Sequence, residues 1–137
     1  MTVRSFRPAA AVAVVAAVAA ALLPGAAHAD NGDNKPGCAH GEICFWYSAG
    51  DTYQKQFWYT ANHGGHNFMY YDQYRYQVSN EPVQDNALQV TNRDTRCRIR
   101  VGNYSGGLWT WREFPNDNAR YHLGDINNRN DRHERLC

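Results

Sequence analysis

The chain has 137 residues, with 14 Lys and Arg against 13 Asp and Glu, 43% hydrophobic, 13% aromatic and 20% charged residues. That length suits one domain with a real core and is short for a typical multidomain enzyme. The composition excludes a disordered tail and a basic nucleic-acid-binding arm, although nine of the twelve arginines fall between Arg93 and Arg135.

Arg4 and Arg7 precede an apolar run from Ala9 to Leu23, and Pro24 and Gly25 follow it. The run of 15 residues falls short of the ~20 that cross a bilayer. Ala27, His28 and Ala29 then give the small-x-small pattern of a signal-peptidase site. Residues 1–29 are therefore read as a secretory signal peptide and residues 30–137 as the exported domain, with no membrane attachment once the signal is removed. The exported part has 108 residues, 17 aromatics and 12 basic against 13 acidic residues. Its charge gives no strong steering field, and no nucleic-acid partner is expected.

A polar lead-in covers 30–37. Ile43, Phe45 and Tyr47 then alternate with Cys44 and Trp46, the period of a half-buried strand. Strands are expected next at 56–60, 67–71 and 87–92. Cys97, Ile99 and Val101 alternate with Arg98 and Arg100, and further strands are expected at 108–112, 120–123 and 132–136. Eight short strands separated by Gly, Asn and Asp turns, with no sustained helical period, argue for a β-sandwich.

Cys38, Cys44, Cys97 and Cys137 all lie in the exported part, where thiols pair. Four cysteines allow three pairings, and sequence alone does not choose. A weak internal repeat favours one of them. Cys44 leads to Tyr53 and Trp58, Cys97 leads to Tyr104 and Trp109 with the same tyrosine-to-tryptophan spacing, and each half reaches an Asx pair before a final strand. On that logic Cys38 with Cys44 staples the lead-in and Cys97 with Cys137 ties the chain end back. On the chain-entropy model the loops are worth ~2 and ~4 kcal/mol.

The stretch 85–111, DNALQVTNRDTRCRIRVGNYSGGLWTW, resembles the junction between two βγ-crystallin motifs. Tyr104, Ser105 and Gly106 match the aromatic-x-Gly signature of that fold. There Tyr104 would pack as a corner and Gly106 would take a positive φ. In the first half Lys55 stands where the glycine would be. The cysteine layout is similar to that of the secreted Streptomyces-type metalloproteinase inhibitors, across essentially the whole exported chain. The resemblance implies an all-β, βγ-crystallin-like Greek-key sandwich of two four-stranded motifs with two disulfides. It also implies a secreted, monomeric proteinase inhibitor whose partner is an extracellular protease. Carried over, the reactive bond is Cys97–Arg98, in an inhibitory loop comprising Arg96, Cys97, Arg98 and Ile99. Thermolysin-like proteases favour an apolar residue after the scissile bond, so Arg98, flanked by Arg96 and Arg100, points to a protease with an acidic primed-side pocket or to lost inhibition. The alternation with Cys97, Ile99 and Val101 equally fits a solvated strand face.

βγ-Crystallin folds can bind calcium through Asx pairs and a downstream hydroxyl. Asp85 with Asn86, and Asn130 with Asp131, lack that hydroxyl, and Glu134 alone could complete a site. These Asx residues are read as turn caps; no metal or other cofactor is expected. His63 and His66 flank two glycines, with Asp72 the nearest further ligand, and are read as a surface loop. Without a nucleophilic elbow, phosphate-cradling loop or zinc-protease helix, the chain is not read as an enzyme. The aromatic surplus of Trp46, Trp58, Trp111, Tyr70, Tyr71, Tyr74 and Tyr76 supports an alternative, a glycan-binding or killer-toxin-like antimicrobial module.

Overall fold

A computed structural model describes residues 32–50 and 52–137 of the chain. The expected signal peptide lies outside the described residues. No helix among those described is long and apolar enough to cross a membrane.

Ten strands are described: β1 (Ile43–Trp46), β2 (Tyr53–Phe57), β3 (Ala61–Asn62), β4 (Asn67–Tyr71), β5 (Tyr76–Pro82), β6 (Gln89–Asn92), β7 (Arg98–Ser105), β8 (Leu108–Phe114), β9 (Arg120–His122) and β10 (Arg132–Leu136). They form two antiparallel sheets rather than two equal four-stranded ones. The first has the order β5-β4-β2-β1-β6-β9 and the second β3-β10-β7-β8. Two short strands leave their own half of the chain: β3 pairs with β10, and β9 pairs with β6. The β4–β5 hairpin extends one edge of the first sheet.

Three expectations need correction. The strand expected at 56–60 begins at Tyr53, because β2 follows the register Ile43↔Phe57 to Trp46↔Gln54 set by β1. Of two strands beyond the eight expected, Ala61–Asn62 has two residues and Tyr76–Pro82 is the longer. Its sequence, YQVSNEP, has little apolar alternation and leaves Val78 67% exposed. It is held by pairing with β4 and by the turn before it, where Asp72 Oδ1 accepts the N–H of Tyr74 and Arg75 at 2.8 Å. Finally, β1 is buried on both faces instead of one. Ile43 and Phe45 enter the core, while Cys44 and Trp46 lie on the opposite side. The lead-in crosses the sheet nearby, where Gln56 Nε2 donates to the carbonyls of Lys35 and Gly37 at 2.7 and 3.0 Å.

The apolar core draws Ile43, Phe45, Phe57, Phe68 and Val90 from the first sheet and Ala61, Ile99, Val101 and Phe114 from the second. Removing one phenylalanine from such a site costs ~3–5 kcal/mol. The disulfides join Cys38 to Cys44 and Cys97 to Cys137, with Cα separations of 5.9 and 4.5 Å. β7 and β8 run in continuous register from Ile99↔Phe114 to Ser105↔Leu108. The turn between them is Gly106-Gly107, with φ of 59° and 82°, the left-handed pair a two-residue hairpin needs. Tyr104 stays 54% exposed and leans on Trp109 instead of forming a buried corner.

Candidate functional site

The segment from Asn92 to Arg98 joins the two sheets. Asp94 organises it: Oδ1 accepts the N–H of Arg96 at 2.8 Å and of Cys97 at 3.0 Å, and Oδ2 takes the Arg135 guanidinium. Burial works against this carboxylate, but the Arg135 guanidinium and the two N–H groups together hold its pKa below the ordinary carboxylate range. Asn92 adds a second brace, its Oδ1 accepting the Asp94 N–H at 3.0 Å and its Nδ2 donating to the Cys97 carbonyl at 2.9 Å. The disulfide to Cys137 closes the far side.

The N-terminal staple reaches the same segment. Arg93 donates its N–H to the Glu42 carbonyl and accepts the Gly41 N–H at the other side, both at 2.8 Å, and its guanidinium donates to the Cys38 carbonyl. Glu42 is fully buried, and its carboxylate accepts the N–H of Asp33 at 2.6 Å and of Ala39 at 2.7 Å. Burial raises its pKa despite these bonds. Cys38, Cys44 and Glu42 lie close enough to resemble a metal cluster, but the two sulfurs are bonded to each other.

Within this frame the four residues expected in the inhibitory loop have different fates. Cys97 is 1% exposed and Ile99 belongs to the core. Arg98 projects outward at the start of β7 and forms an ion pair with Glu113 at 2.8 Å. Arg96 is exposed, and its guanidinium has no hydrogen bond or ion pair among the described residues.

Of the calcium candidates, Asn86, Asn130, Asp131 and Glu134 have side chains drawn into structural bonds. Asp131 accepts the Gln84 amide through Oδ1 and the Tyr104 N–H through Oδ2, each at 2.6 Å. Asp85, at φ 60°, stands near Asp131; burial first, and then that neighbouring charge, raise its pKa. Asn86 Nδ2 donates to the Gln84 carbonyl at 3.1 Å. Glu134 is engaged by Arg100 at 2.6 Å and Arg132 at 3.1 Å. Asn130 is buried and accepts the Ala87 N–H at 2.9 Å.

His63 corrects the reading of a surface loop. It is fully buried, as is His133 of β10. His63 Nε2 meets His133 Nδ1 at 2.9 Å, Asn130 Nδ2 meets His63 Nδ1 at 2.7 Å, and His133 Nε2 meets the Tyr59 carbonyl at 2.7 Å. One assignment satisfies the chain: Asn130 donates to His63, neutral His63 donates to His133, and neutral His133 donates to Tyr59. Burial is the main force lowering both pKa values, to about 4 for His133. Phe45 and Phe57 pack around the pair. The chain is a polar tie between β10 and the segments on either side of β3, its neighbour in the second sheet. Nothing in the residue order marks this pairing, because the two histidines lie 70 residues apart and meet only once β10 pairs with β3.

The aromatic surplus divides. Trp46 is buried, its Nε1 donating to Thr91 Oγ1 at 3.2 Å, and Arg120 lies over its ring. On the outer face of the second sheet, Trp109 and Trp111 stack at 4.8 Å across Gly102. Arg100 covers Trp111 at 4.3 Å, and Tyr104 and Arg132 lie against Trp109. Each indole therefore has ring neighbours that take up stacking faces. Tyr71 and Tyr74 stay open on the β4–β5 hairpin, 55% and 81% exposed.

No relative was found. Comparison with known protein families, with curated proteins and with solved structures gives no match to this chain.

Proposed function

We propose that the protein is a secreted proteinase inhibitor with a βγ-crystallin-like Greek-key fold, acting on metalloproteinases through the disulfide-held bond Cys97–Arg98. The observation that carries this reading is the bracing of the 92–98 segment. Asp94, Asn92 and the Cys97–Cys137 disulfide hold the Cys97 side of that peptide bond, and the pairing of Arg98 with Leu136 holds the other. A loop fixed before binding loses little entropy on binding, and cleaved ends that stay tethered leave slowly. The Cys97 carbonyl uses one lone pair for Asn92 and retains a second for the catalytic zinc of a protease. Arg98 would select an acidic primed-side pocket after giving up Glu113.

The strand exchange supports the fold part of the reading. With the β4–β5 hairpin set aside, each sheet has three strands of one half and one short strand of the other, the mutual arrangement expected of paired Greek-key motifs. Two disulfides and the absence of a described membrane-spanning helix are compatible with an extracellular protein.

The test is inhibition of a panel of secreted metalloproteinases, including ones with an acidic primed-side pocket, by the intact, oxidised protein, repeated after reduction. Stoichiometric inhibition lost on reduction, together with loss of cleavage after Cys97 when Arg98 is replaced by proline, supports the proposal. A folded protein that leaves every metalloproteinase of the panel fully active sinks it. Tyr71 and Tyr74 are the aromatic side chains best placed for the alternative, glycan binding or an antimicrobial role, because their rings are open to solvent.

A further inference from the structure

The arginine most available to a protease is not Arg98. Arg98 lies on a paired strand and holds Glu113, whereas Arg96 is exposed one residue before the buried half-cystine and its guanidinium has no partner among the described residues. The peptide it offers, Arg96–Cys97, is braced at its nitrogen. The Cys97 N–H donates to Asp94 Oδ1 at 3.0 Å, and the Cys97 side chain is bonded to Cys137. Arg135 anchors the bracing carboxylate from β10 and sets its Nη2 3.3 Å from Cys97 Sγ.

We infer that Arg96–Cys97 is a second reactive bond, presented to trypsin-like serine proteases with Arg96 in the primary specificity pocket. This deepens the inhibitor reading and rests on it for the idea of a substrate-like loop, but it uses a different bond and a different protease class. The partner follows from charge: an unpaired guanidinium on a fixed loop complements a pocket with a carboxylate at its base.

The chemistry at this bond favours a lingering complex. The protease serine hydroxyl adds to the Arg96 carbonyl carbon, its proton passing to the protease histidine. The C–N bond to Cys97 then breaks, and the leaving nitrogen takes that proton. The resulting Cys97 amine cannot diffuse away, because the disulfide holds its side chain. It also forms facing Asp94, so on taking up a further proton it turns a neutral N–H contact into an ammonium–carboxylate pair. Attack of the free amine on the acyl carbon re-forms the peptide and releases the serine. Attack by water gives the Arg96 carboxylate and the Cys97 ammonium, with the two ends still joined through the fold. The Arg96 N–H bond to Asp94 at 2.8 Å is the brace that a docking protease takes over with its own backbone.

The experiment titrates the oxidised full-length protein against trypsin, with chymotrypsin and the same metalloproteinase panel in parallel, and examines the recovered inhibitor by mass spectrometry after reduction. The expected result is slow-release inhibition of trypsin, with a fraction of the inhibitor cut only between Arg96 and Cys97. Arg96→Ala should weaken trypsin inhibition by about 100-fold, Arg96→Lys should retain it, and Arg98→Ala should leave it unchanged. Because Arg96 is exposed, Arg96→Ala should melt with the parent protein, which separates lost recognition from lost folding. Trypsin that stays fully active, or inhibition unchanged in Arg96→Ala, overturns the inference. Metalloproteinase inhibition with no trypsin inhibition refutes this bond and leaves the first proposal standing; the converse refutes the first and supports this one.

Discussion

Acid should loosen this protein well above the pH at which its carboxylates titrate, through the buried His63–His133 pair. An unfolded histidine takes its proton near pH 6.5, whereas His133 in the fold does so only at about 4. Between those values the unfolded chain binds the proton and the native one does not, so stability is full above about pH 6.5 and falls as the pH drops toward 4. The difference of 2.5 pKa units at ~1.4 kcal/mol each makes the loss about 3 kcal/mol for His133. His63 works in the same direction, while Glu42, whose pKa is raised in the fold, offsets part of the loss because its protonated form is favoured natively. Urea denaturation at a series of pH values from 7 to 4.5 measures this, and His133→Gln, which keeps a donor for the Tyr59 carbonyl without titrating, should flatten the curve. A parent protein equally stable at pH 7 and pH 4.5, or a native His133 resonance titrating near 6.5 by NMR, would refute the assigned neutral chain.

Asp94→Ala removes the acceptor for two N–H groups and the partner of Arg135, and should cost about 2–4 kcal/mol of stability, read by urea denaturation. The same variant should turn any inhibited protease into one that digests the 92–98 segment. Gly102→Ala puts a Cβ 2.5 Å from Trp111, so it should displace the indole stack, shift the tryptophan emission and cost about 1–3 kcal/mol. Replacing Cys97 and Cys137 together by alanine should cost about 2–5 kcal/mol, measured as a lower thermal midpoint.

How much of this could be read from residue order depends on what each segment spends its side chains on. β7 was legible because Ile99 and Val101 face the core while Arg98 and Arg100 face solvent, an alternation the chain displays openly. β5 was not, because Tyr76, Gln77 and Val78 pair through backbone with Tyr71, Tyr70 and Met69 while the apolar Val78 stays in water. Tyr47 looked like a third inward residue of β1 but lies beyond its end, since its N–H turns back to the Tyr53 carbonyl at 3.2 Å. The disulfide partners followed from the repeat, and the exposed Arg96 and Arg98 from the alternation around Cys97. The bracing by Asp94 and Asn92 did not, because an Asx side chain looks the same whether it caps a turn anywhere or holds one particular bond. His63 was misread because two glycines follow it, while its burial depends on β10, whose His133 lies 70 residues on.

The exchange of β3 and β9 also dictates how the chain can fold. β10 sits between β3 and β7, so the second sheet cannot be assembled until a strand from late in the sequence has arrived, and such long loop closures slow folding. Neither half carries a complete sheet of its own. Cutting the chain between β6 and β7 should give two fragments that stay unstructured apart and regain the fold only when mixed, each supplying the short strand that the other lacks.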